Sequence, residues 1–376
     1  MQCDYYDIGR CRSCTLIETP YPAQLAQKAT RAREALTAFA SDLDWQEPTA
    51  SAEAGFRNKA KMVAGGTLDS PRLGILGSGR EVVDLRECGL HEPAIVGALP
   101  VLTEFITTAQ LTPYDVASRR GELKYVLVTA APSGELMVRF VLRSTEALLR
   151  IRKHLPTLSG RLPNLAVASV NIQPAAAAII EGDEEILLTE QSTLPMTLDD
   201  LTLHLGPRSF FQTNTAMARH LYRQAREWTG PLEAATVWDL YCGVGGFALH
   251  LAPGAQYVTG IERSEQAIIS ARRSATDAGV SEKVSFAVAD ATEFAISHGT
   301  GPDLVVVNPS RRGIGDRLAG WLQSGGTSRV LYSSCNVASL AQDLERMPSL
   351  RPVRAQVLDM FPQTEHFETL VLLERV

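Results

Sequence analysis

The sequence predicts a doubly wound α/β domain in the second half of the chain and a smaller α+β domain in the first half. Residues 235–376 alternate short β-branched strands with helical stretches, which is typical of βα units in a mostly parallel sheet. Residues 55–200 hold strand-like segments separated by turn sequences such as PSGE and EGDEE, without that regular alternation. We therefore expect two domains, residues 1–200 and residues 201–376.

Composition and charge exclude several classes of protein. The chain has 376 residues, 45% of them hydrophobic and 21% charged, which excludes a wholly disordered protein. No apolar run approaches the roughly 18 residues of a membrane span, and the N-terminus lacks an export signal, so we expect a cytoplasmic protein. The net charge of −6 argues against coating nucleic acid by charge alone. Residues 119–161 nevertheless carry nine Lys or Arg against three Glu, which predicts a local basic face.

The N-terminal segment contributes most of a set of four cysteines and leads into a predicted helix. Cys3, Cys11, Cys14 and the distant Cys88 supply four thiolates, enough for a tetrahedral zinc or for an iron–sulfur cluster. One close pair with two single cysteines favours the cluster modestly, because zinc sites more often present two close pairs. The following residues 23–39 have apolar side chains at helical spacing, which predicts a helix.

The first strand of the α/β domain ends in a glycine turn that is typical of a ligand site. In DLYCGVGGF, Gly243 and Gly245 follow a buried strand and precede a helix, an arrangement that brings backbone amides to a ligand. Ala248 stands where a dinucleotide site needs its third glycine. Glu262 ends the next strand, where a carboxylate can accept both ribose hydroxyls, and Asp290 ends the third strand near an adenine edge. Together they predict a nucleoside cofactor without a diphosphate, S-adenosylmethionine being the obvious candidate.

Reactive side chains follow the fourth and fifth strands at the same edge of the predicted sheet. Asn308 follows the strand VVV in VVVNPSRRG, and Cys335 ends VLYSSC just before a helical stretch. A helix N-terminus lowers the pKa of a thiol and favours the nucleophilic thiolate. The polar neighbours of Cys335 also disfavour an inert core cysteine. Glu368 opens the last strand as a candidate acid or base, with Glu365 and His366 as close alternatives.

Five ordered blocks carry a resemblance to a known family. The chain resembles the RNA uracil-C5 methyltransferases in FFQTN (210–214), DLYCGVGGF (239–247), NPSRRG (308–313), YSSCN (332–336) and DMFPQTEHFE (359–368). The start MQCDYYDIGRCRSC, with FRNKAKM and RGELKY, resembles the cluster-containing branch that methylates a 23S ribosomal RNA uridine. The resemblance runs from Met1 to about Arg375. One departure is Ser310, where the family usually has a second proline, so the loop beside Asn308 lacks the stiffening that this proline gives.

The resemblance implies a Rossmann-like class I methyltransferase domain and a role for each matching residue. Cys335 would be the nucleophile that adds to C6 of uracil, and Glu368 the base that removes the C5 hydrogen. The cofactor S-adenosyl-L-methionine would be contacted by Gln212, Tyr241, Glu262 and Asn308. The four cysteines would hold a [4Fe–4S] cluster.

An RNA substrate adds a requirement for phosphate contacts. The target uridine must lie in a loop or be flipped out, since stacking hides its C6 face. Candidate phosphate ligands lie in the middle of the chain: Arg57, Lys59, Lys61, Arg119, Arg120 and Lys124. No obligatory protein partner is evident from the sequence.

Alternatives to a 23S rRNA enzyme remain open at this stage. They are the same chemistry on a tRNA or on another rRNA uridine, and an RNA-binding assembly factor without catalysis. A DNA cytosine-C5 methyltransferase would place its cysteine in a Pro-Cys context, which SSCN does not match. A redox protein would need a flavin or nicotinamide fingerprint, and we find none in the sequence.

Overall fold

The computed structural model describes residues 1–77, 79, 81–176 and 179–376, and it divides the chain into two compact units. Unit 1 comprises Met1–Cys14 and Ala54–Met196, and unit 2 comprises Thr15–Glu53 and Thr197–Val376. Residues 15–53, which the sequence analysis grouped with the first domain, therefore pack with unit 2. None of the helices within the described ranges is long and apolar enough to cross a membrane.

Unit 1 is built on a seven-stranded sheet with the order β4-β3-β2-β5-β6-β7-β8. Neighbouring strands are antiparallel except β6 and β7, which are parallel because helix α4 crosses between them. The strands are β2 (Lys59–Gly66), β3 (Pro71–Leu76), β4 (Val82–Asp84), β5 (Leu123–Ala130), β6 (Leu136–Leu142), β7 (Leu165–Ile172) and β8 (Glu184–Leu187), and the helices are α1 (Asp4–Asp7), α3 (Pro93–Thr108) and α4 (Leu148–Arg161).

The predicted α+β character of this region is confirmed strand by strand. The four segments that the sequence marked as strand-like become β5, β6, β7 and β8. One face of the sheet packs on α3 and α4 in a core that includes Met62, Val126 and Phe140 from the strands and Leu102 and Ile151 from the helices. Burial of these side chains is the main stabilising contribution to such a layered fold.

Unit 2 is built on an eight-stranded sheet with the order β1-β16-β17-β15-β14-β11-β12-β13. Its strands are β1 (Asp44–Trp45), β11 (Leu232–Leu240), β12 (Ala255–Glu262), β13 (Val284–Val288), β14 (Leu304–Val307), β15 (Arg329–Ser334), β16 (Leu350–Leu358) and β17 (Glu368–Arg375). Strands β9 (Leu194–Leu198) and β10 (Leu201–Leu205) form a separate two-stranded sheet. The helices are α2 (Tyr21–Leu36), α5 (Thr215–Thr229), α6 (Gly246–Leu251), α7 (Glu265–Asp277), α8 (Ala291–His298), α9 (Gly315–Ser324) and α10 (Val337–Glu345), with a 3₁₀ turn at Ala252–Gly254.

The strand order of unit 2 confirms the doubly wound prediction and locates an edge for ligands. From β11 the chain steps outward to β12 and β13, then returns to the other side of β11 with β14 and β15, all of them parallel. Ligands of such sheets bind outside the carboxyl ends of the strands, where the order reverses. The reversal here lies between β11 and β14. Strand β17 runs antiparallel to β15, so its first residue lies at this same edge.

Candidate active site

The carboxyl edge of the unit 2 sheet gathers the predicted reactive residues. Asn308 directly follows β14, and Cys335 directly follows β15. Glu368 opens β17, whose next residue Thr369 pairs with Ser334 at the end of β15. Three segments far apart in the sequence therefore meet because two strands end, and one begins, at a single edge.

A strained loop joins β11 to α6 at this edge. Tyr241, Gly243 and Gly245 all have positive φ angles, of 71°, 54° and 85°. A left-handed backbone costs free energy for a residue with a side chain, so Tyr241 is held there by its surroundings. Gly246 cannot carry a side chain without a shift, because a Cβ atom there would lie 2.3 Å from the hydroxyl oxygen of Tyr222. In DLYCGVGGF, Gly243 and Gly245 thus allow the turn, and Gly246 allows the close approach of the Tyr222 side chain to the backbone.

A cavity beside this loop brings together four of the seven residues predicted to bind the cofactor. Its lining includes Gln212, Tyr241, Gly243 and Asn308. The lining also has four aromatic residues that sequence reasoning missed: Phe210, Phe211, Tyr222 and Phe247. The first two stand in the FFQTN block itself.

Asn214, the last residue of the FFQTN block, has a separate structural task. Its side chain accepts a hydrogen bond of 3.2 Å from the Met217 amide and so caps α5. Its amide nitrogen also donates to Ser51 Oγ at 2.8 Å. The cap fixes where α5 begins and therefore where Gln212, two residues earlier, is held.

Glu262 and Asp290 lie outside the described lining of that cavity and shape the loops around it. Glu262 Oε1 accepts hydrogen bonds from the Arg263 and Ser264 amides at 2.8 and 2.9 Å, and Oε2 accepts one of 3.2 Å from the Gly243 amide. Asp290 Oδ1 caps α8 through the Thr292 and Glu293 amides. These backbone bonds fix the orientation of both carboxylates.

Asp239 is a buried acid of this region that sequence reasoning did not select. Its Oδ2 accepts a 2.8 Å hydrogen bond from the Ala248 amide, while Oδ1 has no hydrogen-bond partner among the described residues. Burial raises the pKa of Asp239 to about 7, with the Ala248 bond opposing that shift and the charge of Glu262 adding to it. An acid at the end of the first strand, just before a glycine turn, was the available signal.

Glu368 is a completely buried carboxylate held by a small network. Its Oε1 accepts a 2.5 Å hydrogen bond from Ser333 Oγ and a 3.1 Å bond from Asn308 Nδ2. Asn308 Nδ2 also lies 3.3 Å from the Ser333 carbonyl oxygen, which orients its amide. Burial raises the pKa of Glu368 to about 7, and the two hydrogen bonds partly oppose that shift. A carboxyl with such a pKa exchanges protons near neutral pH.

The Cys335 thiol is half-buried, and the expectation that its pKa is lowered is wrong. Burial is the largest influence and raises the pKa above its ordinary value, and the charge of Glu368 raises it further. The N-terminus of α10 is already capped by the Asn336 side chain, which accepts a 3.2 Å hydrogen bond from the Ala338 amide. Arg311, through a hydrogen bond and its charge, is the side chain that favours the thiolate.

A cleft of about 250 Å³ opens onto Cys335. Glu365 and His366, the alternatives to Glu368, are exposed and lie in its lining, whereas Glu368 is 2% exposed and bonded to Ser333 and Asn308. The lining also includes two arginines, Arg31 and Arg311. The cleft is therefore a polar, positively charged entrance to the thiol.

Helix α2 holds the segment that leads into Glu368. The Lys28 ammonium donates to Asp359 Oδ1 at 2.7 Å, in an ion pair whose side chains are 1% and 0% exposed. Gln24 donates to Gln363 Oε1 at 2.9 Å and accepts the Gln363 amide at 3.0 Å. Gln24 and Lys28 are one helical turn apart, so one face of α2 fixes both ends of residues 359–363.

The four N-terminal cysteines gather within unit 1 without forming a closed metal site. Burial raises the pKa of Cys14 to about 12, and the charges of Cys88, Cys11 and Cys3 add to the shift. Arg57 lies beside them, since its charge lowers the pKa of Cys14. Among the residues that the structure describes, no three His, Cys, Asp or Glu side chains are placed to hold a metal ion. The donors fit a thiolate-ligated centre chemically, but their geometry is not that of a formed one.

The predicted phosphate ligands of unit 1 divide by exposure. Lys61, Arg119 and Arg120 are exposed. Lys124 is 6% exposed and its ammonium donates to the Ala175 carbonyl at 2.7 Å, so the prediction of a phosphate contact there is wrong. Arg57 is half-buried and donates to the Lys59 carbonyl at 3.0 Å.

The basic run at 119–161 is also partly neutralised. Four of its arginines form ion pairs with glutamates: Arg139, Arg143, Arg150 and Arg161.

Comparisons with known proteins agree with this geometry. Residues 189–376 match the family model described as tRNA (Uracil-5-)-methyltransferase. The chain is 46% identical, over 99% of its length and 99% of theirs, to proteins named 23S rRNA (uracil(747)-C(5))-methyltransferase RlmC from Escherichia coli O139:H28 and Shigella boydii serotype 4.

A solved structure is similar over nearly the whole chain. It is the Pyrococcus abyssi tRNA (uracil-54, C5)-methyltransferase in complex with S-adenosyl-L-homocysteine, with a TM-score of 0.80 and 27% identity. The match covers 96% of this chain and 85% of that one. With a family-model match over half its length and full-length relatives at 46% identity, the chain belongs to the S-adenosylmethionine-dependent RNA (uracil-C5)-methyltransferases.

Proposed function

We propose that this protein transfers a methyl group from S-adenosyl-L-methionine to C5 of a uridine in 23S ribosomal RNA. The observation that carries the proposal is the pairing of a cysteine beside an arginine with a buried carboxylate, next to a glycine loop at one sheet edge. The substrate assignment rests on the full-length relatives that are named for a 23S rRNA uridine.

The cofactor would occupy the glycine-loop cavity and the two loops beside it. S-adenosyl-L-methionine supplies the methyl group as a sulfonium. Gln212, Tyr241, Gly243 and Asn308 would contact it from the cavity lining. Three further residues would complete the site from the turn and the neighbouring strand ends: Gly245, Glu262 and Asp290. The bound S-adenosyl-L-homocysteine of the structural neighbour supports the choice of cofactor.

Cys335 would activate the pyrimidine by covalent addition. C5 of uracil is a poor nucleophile, and addition of the thiolate at C6 forms a sulfur–carbon bond that pushes electron density to C5. C5 then attacks the methyl carbon, whose bond to the cofactor sulfur breaks as S-adenosyl-L-homocysteine leaves. Arg311 favours the thiolate, since its charge and hydrogen bond lower the pKa that burial raises.

Glu368 would complete the reaction as the base. The adduct carries both a methyl group and a hydrogen at C5, so a carboxylate must take that proton. The electron pair of the C5–H bond then restores the ring double bond as the bond from sulfur to C6 breaks. The network of Ser333 and Asn308 holds Glu368, and its pKa of about 7 leaves a substantial fraction ionised at neutral pH.

Unit 1, which holds most of the predicted first domain of residues 1–200, would carry the iron–sulfur centre and bind RNA, and unit 2 would be the methyltransferase domain. Cys3, Cys11, Cys14 and Cys88 would hold a [4Fe–4S] cluster, which their mutual proximity and the positive Arg57 support. Four ligands from 1–14 and from residue 88 would tie the start of the chain to the sheet of unit 1. This role is structural, because the thiolate route already activates C5.

The test is to map 5-methyluridine by mass spectrometry in 23S rRNA and tRNA from cells with and without the gene. Loss of one 23S methyluridine, restored by wild type but not by Cys335→Ala, is the expected result. Loss of 5-methyluridine from tRNA alone would show that the substrate is a tRNA and not 23S rRNA. Restoration by Cys335→Ala would instead support an RNA-binding assembly factor.

A further inference from the structure

The sheet of unit 1 has two unlike faces. Met62 pairs with Val126 and faces the core beneath α3 and α4. The alternate residues point the other way, and there Val63 pairs with Tyr125. Both of those side chains are half-buried, so this end of the second face is open to solvent.

A pocket of about 200 Å³ lies on this open end. Leu76 and Val116, which are 50% and 60% exposed, stand in its lining. Two aromatic rings, Tyr114 and Tyr125, also line it, together with Val63, Lys124 and Ala176. Exposed aliphatic side chains beside two tyrosines form an apolar slot that neither core packing nor the methylation chemistry explains.

The slot is built by the backbone and does not depend on chance side-chain positions. The Tyr114 amide donates to the Leu123 carbonyl at 2.8 Å, which ties the 113–122 turn to the start of β5. The Asp115 amide donates to the Arg120 carbonyl at 2.8 Å and closes that turn. The Lys124 ammonium lies 4.7 Å from the centre of the Tyr114 ring and stabilises the position of that ring.

Exposed cations stand on two of the elements that form the slot. Arg119 and Arg120 are exposed on the turn that carries Tyr114 and Val116. Lys61 is exposed two residues before Val63, on the same face of β2. One exposed carboxylate, Asp115, stands on the same turn. An apolar slot with exposed cations on its turn and on β2 complements a flat base flanked by phosphates, whereas a peptide or a second copy of this chain would bring no phosphates to match.

We propose that this slot binds one unstacked base of single-stranded RNA, with Tyr114 and Tyr125 as the stacking surfaces and Lys61, Arg119 and Arg120 on the neighbouring phosphates. The inference rests on the proposed function in taking RNA as the substrate. It deepens that function, because a uridine that must leave its helix to react lies in an unpaired stretch whose other bases need a place to bind.

The test measures binding by fluorescence anisotropy with two labelled RNAs: a 23S rRNA stem–loop that contains the target uridine and an unrelated single strand of equal length. Tyr125→Ala, Tyr114→Ala and Val116→Glu should each weaken binding of both RNAs about tenfold, since stacking tolerates any base. Tyr125→Phe keeps the ring and should bind as wild type. Tyr257→Ala removes an exposed tyrosine ring from β12, away from the slot, and serves as the control.

Charge is tested separately through salt dependence. Lys61→Glu should weaken binding and reduce the slope of log affinity against log salt by about one, whereas Tyr125→Ala should leave the slope unchanged. Cofactor binding by calorimetry should be unaffected in every variant.

Wild-type affinity in Val116→Glu and both alanine variants would overturn the inference. So would equal losses in Tyr125→Phe and Tyr125→Ala, or a dimer in sedimentation that Val116→Glu dissociates without any effect on RNA. The proposed function fails separately. If 23S rRNA is not methylated but the tyrosine-dependent binding of single strands persists, only the substrate is wrong.

Discussion

Five cysteines occupy two kinds of environment in this protein. Cys335 is a single half-buried thiol whose neighbours are a cation, Arg311, and a carboxylate, Glu368. Cys14 is buried among three other thiols whose charges add to its raised pKa, and the charges of Cys3 and Cys11 also add to the raised pKa of Cys88. Burial raises the pKa in both places, so burial alone does not separate a reactive cysteine from a ligand cysteine. The neighbours do, because a lone thiol beside a cation can add to an electrophile, whereas four thiols need a shared cation.

Replacing Cys335 should produce the largest effect. We expect Cys335→Ala to lower the methylation rate by on the order of 10⁴-fold or more, because no other group can form the C6 adduct. Single-turnover assays on the rRNA stem–loop measure the rate, and RNA containing 5-fluorouridine should trap wild type covalently but not the variant. Cofactor binding and thermal unfolding should stay near wild type. The role of Cys335 would be refuted if folded wild type binds the cofactor and methylates the RNA, but forms no covalent conjugate with the same RNA containing 5-fluorouridine.

Glu368→Gln should have the next largest effect. We expect the methylation rate to fall about 10³-fold, because a general base accelerates a reaction by on the order of 10² to 10⁴. The variant should accumulate the methylated adduct, visible as a slower band on denaturing gels. Glu365→Gln, exposed at the cleft, is the matched comparison and should lose far less activity. If the two variants lose activity equally, Glu368 is not the base.

The pH profile sharpens this assignment. The base must be ionised, and the pKa of Glu368 is raised to about 7, so the carboxylate fraction falls as pH drops. The Cys335 thiolate fraction also falls as pH drops, because burial raises the pKa of that thiol. Wild-type single-turnover rates should therefore fall about tenfold per pH unit just above that value, where only the thiol titrates, and about a hundredfold per unit below it, where both groups do. Glu368→Gln should keep the slope due to the thiol and lose the additional steepness. The same additional steepness in Glu368→Gln would assign it to another group.

Cys14→Ser should disrupt the group of four thiols, with a smaller effect on the methylation rate than Cys335→Ala. We expect loss of bound iron and sulfide and a fall of about 4 kcal/mol in the free energy of unfolding, as for removal of a structural metal. Iron analysis, visible absorption and chemical denaturation measure these quantities. Methylation at low temperature should persist, unlike in Cys335→Ala. If purified wild type contains one zinc ion per chain and no iron, the four cysteines form a zinc site and not an iron–sulfur cluster.

Lys28→Met should have the smallest effect of these changes and should act on unit 2 alone. Removing the ammonium leaves Asp359 buried without its partner, which should cost about 3 kcal/mol in the free energy of unfolding. Gln27→Met changes an exposed position of the same helix and is the control. A turnover rate that falls while cofactor affinity holds would mark Lys28 as a positioning residue for Glu368. A stability equal to wild type would contradict the role of this pair.

The sequence by itself determined the pattern of strands and helices and predicted which residues meet at the edge of the unit 2 sheet. Alternation of short strands and helices defined the doubly wound sheet, because parallel βα units have that period. The glycine turn, Asn308 and Cys335 follow strand ends, and carboxyl ends of parallel strands meet at one edge, so their proximity was predictable. The helix at 23–39 was also predictable from its period, and α2 confirms it.

Only the tertiary structure decided which polar groups are buried and against what. Gln24 and Lys28, which the helical spacing of apolar residues did not single out, are buried against the segment that leads to Glu368. The pKa of Cys335 follows from burial and from Arg311, not from its helix, and Lys124 turns inward to Ala175. The physical reason is that periodicity along the chain records which side chains share a face. Desolvation and charge depend on partners hundreds of residues away, which the fold alone brings into contact.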